Sequence, residues 1–74
     1  MEYVIAQIDI TEKFALQTAG HLKKDGLILL NEKEVEMCPQ LSGDLAERSS
    51  QLKGMVVSRN EAMLLIKEGG WKNG

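Results

Sequence analysis

Apolar positions alternate over residues 3–10, YVIAQIDI. Val4, Ala6, Ile8 and Ile10 fall on one face of a strand, and Tyr3 and Ile5 add apolar weight to the other. Adjacent β-branched residues at Val4 and Ile5 favour the strand. A helical stripe through Met1, Val4, Ile5 and Ile8 keeps a helix over this segment as the alternative. The pattern then changes to a helical period from Thr11 to Lys24, with Phe14, Ala15, Leu16, Ala19 and Leu22 on the apolar face. Asp9 or Thr11 supplies the cap, Lys23 and Lys24 complement the helix dipole in the last turn, and Asp25-Gly26 gives the stop.

Leu27-Ile28-Leu29-Leu30 is a short continuous apolar run that fits a buried strand or the approach to the next helix. Asn31-Glu32-Lys33-Glu34 has the cap-x-x-Glu spacing that opens a short helix, which ends before Pro39. A longer helix is expected over 41–54 with Ser42 as its cap. Its apolar face is thin, because Leu45 and Leu52 are separated by Arg48-Ser49. Met55-Val56-Val57 reads as an extended link. Ser58-Arg59-Asn60-Glu61 is a capping box, and the helix behind it carries Ala62, Met63, Leu64, Leu65 and Ile66 and stops at Gly69-Gly70. Residues 71–74 form a short tail. The plan of two apolar residues, cap and Glu recurs at 29–35 and 56–62, but any well-capped strand-to-helix turn converges on it.

These elements predict a single α+β domain over 1–74, mainly helical, with an N-terminal strand, a helix, a short second strand and two or three further helices. The first three elements have βαβ lengths, which would pair 3–9 with 27–30 in parallel. An all-α bundle is the alternative. A two-stranded sheet is weak alone, and it would be reinforced if residues 3–10 also paired with their copy across a two-fold axis.

Composition narrows the function. The 74 residues are 43% apolar and 27% charged, ordinary globular values. Net charge is −2. Residues 1–40 hold four Lys against seven acids (−3), and residues 41–74 hold five Lys or Arg against four acids (+1). Neither half is a phosphate-neutralising patch, so nucleic acid is not an expected partner. No apolar run approaches the ~18 residues that span a membrane. Glu2 and Asp9 interrupt any signal-peptide pattern, and a lone cysteine suits a reducing, cytoplasmic setting.

Candidate chemistry is sparse. Cys38 and His21 are the sole thiol and imidazole, on different elements and without a local nucleophile signature. Glu32, Glu34 and Glu36 alternate at i and i+2, so a helix does not gather them into a metal or acid/base site. The glycines match neither phosphate-loop pattern. No catalytic residue, metal or cofactor is expected.

Residues 57–70, with Val57-Ser58-Arg59 at the start and Ile66-x-x-Gly69 at the end, resemble the recognition-helix region of excisionase-type and MerR-type helix-turn-helix proteins. The resemblance covers about a fifth of the chain and implies Arg59 and Lys67 as DNA contacts. It departs from the family where a glycine is expected just before Val-Ser, since Met55-Val56 stands there.

Trp71, past a helix stop, and Tyr3 are candidate partner contacts. The four methionines read as gap-fillers. The expected function is a non-catalytic interaction or assembly module that self-associates, with an accessory DNA-binding protein of the helix-turn-helix type as the alternative.

Overall fold

The computed structural model describes residues 1–16 and 20–73. The chain runs β1 (Glu2–Gln7), α1 (Ile8–Lys13), β2 (Leu22–Lys24), β3 (Leu27–Asn31), α2 (Glu32–Glu36), α3 (Leu45–Gln51), β4 (Met55–Ser58), α4 (Arg59–Glu68) and β5 (Lys72–Asn73). The strands form one five-stranded sheet in the order β4-β1-β3-β2-β5, and every pairing in it is antiparallel.

This corrects the expected fold class. At about 40% helix and 29% strand the domain is α+β but not mainly helical, and it is not an all-α bundle. Residues 3–9 and 27–30 do pair, but antiparallel, with Val4 opposite Leu30 and Ala6 opposite Ile28. There is no βαβ crossover, because α1 covers only six residues and Leu22–Lys24 is a strand.

β1 is central, bonded on one side to β3 and on the other to β4, where Tyr3 faces Val57 and Ile5 faces Met55. Both of its edges are occupied, so it cannot pair with a copy of itself as expected.

The expected helix over 11–24 fails at two points, and residues 17–19 of it lie outside the described residues. Helix α1 starts earlier, at Ile8, and Thr11 does not cap it: its hydroxyl donates back to the Ile8 carbonyl at 2.6 Å. The helix ends at a Schellman turn. Leu16 N–H donates to Thr11 O and Ala15 N–H to Glu12 O, with Ala15 at φ +57°. Alanine in the left-handed region gives no sequence signal for that stop. Asp25 and Gly26, at φ +51° and +79°, form the tight turn of the β2–β3 hairpin. Asp-Gly favours such a turn because both central residues need positive φ.

Helix α3 is shorter than the expected 41–54, and its cap is Asp44 rather than Ser42: the Asp44 carboxylate accepts from Glu47 N–H at 2.9 Å. It too ends in a Schellman turn, with Lys53 at φ +52°. The other two caps lie where the sequence places them. Asn31 and Glu34 form a reciprocal capping box, and Ser58 Oγ accepts from Glu61 N–H at 3.2 Å. Met55–Ser58 is a strand rather than a link, and Lys72–Asn73 pairs with β2.

The sheet is buried on both faces. On one face, Val4, Ala6, Ile28 and Leu30 pack with Ile10, Val35, Cys38, Leu41 and Leu52 beneath α1, α2 and α3. On the other, Ile5, Leu29 and Val57 pack with Ala62 of α4, joined by Leu65, Ile66 and Trp71. Burial on both faces explains why the 3–8 and 27–30 segments read as nearly continuous apolar runs.

Candidate functional site

Two places in the structure bring together side chains that carry chemistry or uncovered apolar surface. The first is a cavity of about 520 Å3 between the end of α1, β3 and the end of α2. Its lining includes Phe14, Leu16, His21, Glu34, Met37 and Cys38. His21 and Cys38, on separate segments of the sequence, therefore share one cavity.

Their hydrogen bonds run to other groups rather than to one another. His21 Nε2 faces the Glu34 carboxylate, whose other oxygen accepts from Asn31 N–H at 3.0 Å. Cys38 is buried, with Sγ 3.1 Å from the Phe14 carbonyl and 3.2 Å from Gln40 Oε1. Both neighbours are acceptors that hold the thiol proton, and neither is a base that would remove it. His21 Nε2 is taken by Glu34, which leaves Nδ1 as the ring's other nitrogen, buried with no hydrogen-bond partner among the described residues. Glu32, Glu34 and Glu36 do not converge: Glu34 is used by the capping box and His21, and Glu36 is exposed. Among the described residues there is no cluster of three or more His, Cys, Asp or Glu able to hold a metal ion.

The second place is the outer surface of α4. At about 100° per residue, the run Ala62 to Ile66 spreads around the whole helix, so all five residues cannot face inward. Ala62, Leu65 and Ile66 pack on the sheet. Met63 is left 44% exposed and Leu64 61% exposed, between Asn60 and Lys67. Met55, on β4, is 61% exposed. Sequence reasoning missed these three as candidates, although the width of the 62–66 apolar run was the available signal. All four methionines, Met1 and Met37 included, stand exposed rather than filling core gaps.

The residues singled out from the sequence are placed as follows. Tyr3 and Trp71 are half-buried against the α4-side cluster, and Trp71 Nε1 is buried with no hydrogen-bond partner among the described residues. Their rings are thus partly covered by the chain itself. Arg59 and Lys67 are exposed on α4, about 80° apart around the helix. α3 and α4, the pair a helix-turn-helix would bring side by side, pack on opposite faces of the sheet with β4 between them in sequence.

No protein-family model, curated protein or solved structure matches the chain. No described helix is long and apolar enough to cross a membrane.

Proposed function

We infer that this chain is a non-catalytic interaction module that associates with copies of itself. The observation that carries this reading is the exposure of large apolar side chains, Met55 on the open β4 edge of the sheet and Met63 and Leu64 on the outer side of α4. Methionine side chains adapt to a partner at little cost, and their exposure here is unusual for so apolar a residue. A domain of this size buries only about 60% of its unfolded surface, so association adds stability that its own core lacks. The unpaired Cys38 suits a reducing, cytoplasmic setting. Light scattering from micromolar to near-millimolar protein tests the reading. A mass above the monomer that rises with concentration is expected, and a monomer mass throughout would refute it.

The DNA-binding alternative draws no support from the placement of α3 and α4. Lys67 stands beside Leu64, and Arg59 lies about 80° away from Lys67 around the helix, so the two form no basic stripe. A salt-dependent gel shift on mixed duplex DNA separates the two readings.

A further inference from the structure

We propose that Asn73 is a modification site, where the side-chain amide is lost without an enzyme and the chain is left carrying aspartate or isoaspartate.

The chain has three asparagines, Asn31, Asn60 and Asn73. An asparagine loses its amide when the main-chain nitrogen of the next residue attacks its own Cγ. The attack needs a side chain free to turn, a following nitrogen that is not held elsewhere, and little bulk around that nitrogen. Asn31 fails the first condition, because its Oδ1 accepts from Glu34 N–H at 2.9 Å in the capping box. Asn60 fails the second, because the nitrogen that follows it, that of Glu61, donates to Ser58 Oγ at 3.2 Å within the first turn of α4. Both fail the third, since each is followed by glutamate.

Asn73 meets all three. It is exposed, and no hydrogen bond holds its side chain among the described residues. It ends β5, a strand of two residues whose single partner in the sheet is β2. A pairing that short at a sheet edge opens locally at little cost. The next residue is Gly74, which has no Cβ to crowd the attacking nitrogen.

The reaction balances with water alone. The Gly74 nitrogen gives up its proton and forms a bond to Asn73 Cγ, the Cγ–Nδ2 bond breaks, and ammonia leaves. Water then opens the resulting succinimide at either carbonyl. One opening gives aspartate, and the other gives isoaspartate, in which the chain runs on through the former side chain. Either product adds one negative charge to a chain whose net charge is −2. The charge appears on the edge that carries Lys23, Lys24 and Lys72.

Peptide mapping by mass spectrometry tests this on the full chain, held folded at mildly alkaline pH and, in parallel, unfolded in guanidinium chloride. Asn73 in the folded chain should convert within about tenfold of its unfolded rate, because the edge opens readily. Isoelectric focusing should show the matching acidic shift, while Asn31 and Asn60 stay intact. Gly74→Val leaves every described residue unchanged and should slow the conversion at least about tenfold by crowding the nitrogen. A folded rate more than about tenfold below the unfolded one would show that pairing with β2 protects Asn73, and it would overturn the proposal. Amide loss at Asn31 or Asn60 ahead of Asn73 would overturn it too, as would a Gly74→Val chain that converts as fast as the wild type.

Discussion

Lys53 and Gly54 are neighbours for which exchanging glycine and side chain should act in opposite directions. Lys53 sits at φ +52°, the left-handed region that costs an L-residue roughly 1–2 kcal/mol and glycine little. Lys53→Gly relieves that strain but adds about 0.4–1 kcal/mol of unfolded-chain entropy, for a net gain of up to about 1.6 kcal/mol. Gly54 is glycine for a different reason. A Cβ there would lie 2.6 Å from the Ile5 carbonyl oxygen and 3.1 Å from Ala6 Cβ. Ile5 and Ala6 belong to the central strand, bonded on both sides, so the contact cannot relax without shifting the ladder. Gly54→Ala should therefore cost about 1–3 kcal/mol, as overpacking does. Total stability for a chain this size is roughly 4–11 kcal/mol, so the variant still folds. Its melting point should fall by roughly 5–20 °C. Urea denaturation followed by the fluorescence of the single tryptophan, half-buried Trp71, gives the first value, and thermal melting followed by circular dichroism gives the second. If Gly54→Ala melts with the wild type, α3 does not deliver the chain against β1 at Ile5, and the placement of β4 at the sheet edge is wrong.

Ser58→Ala should destabilise the fold by about 1 kcal/mol, read from the urea midpoint, because it removes the acceptor for Glu61 N–H. Asn31→Ala should cost at least as much by the same assay, since it breaks a capping box in which both groups bond. Neutral His21 should carry its proton on Nε2, where the Glu34 carboxylate accepts it. Long-range 15N–1H correlation at alkaline pH reads the tautomer, and a proton on Nδ1 would contradict the placement of Glu34. Duplex DNA should show no sequence-selective shift at physiological salt. A sub-micromolar, selective complex abolished by Arg59→Ala would restore the helix-turn-helix reading.

Much of the fold is legible where a single local signal acts alone. The apolar run 27–30 and the caps at Asn31 and Ser58 lie where the sequence puts them, because a cap needs only a side-chain oxygen and the amide three residues on. The misreadings fall where one signal serves two structures. Asp-Gly ends a helix or turns a hairpin, since both need positive φ. The stop that would have decided between them lies at Ala15, a residue that does not announce the left-handed conformation it adopts. Met55–Ser58 is too short for its period to be read. Its identity as a strand comes from β1, which no local pattern records.

The candidate surface was hidden for a related reason. Apolar residues in a sequence are assigned to the core by default, and a helix run of five such residues looks like a strong core signal. The structure gives α4 one covered face, against Ile5, Leu29 and Val57, while α1, α2 and α3 occupy the far side of the sheet. With no second layer over α4 among the described residues, Met63 and Leu64 are left exposed. The same arrangement shifts where a partner would bind. β1, the apolar segment that invites pairing, spends both edges inside the monomer, and the open edge passes to the four uncharged residues of β4. Any further strand pairing is therefore open at Met55–Ser58 and closed at the N-terminal strand.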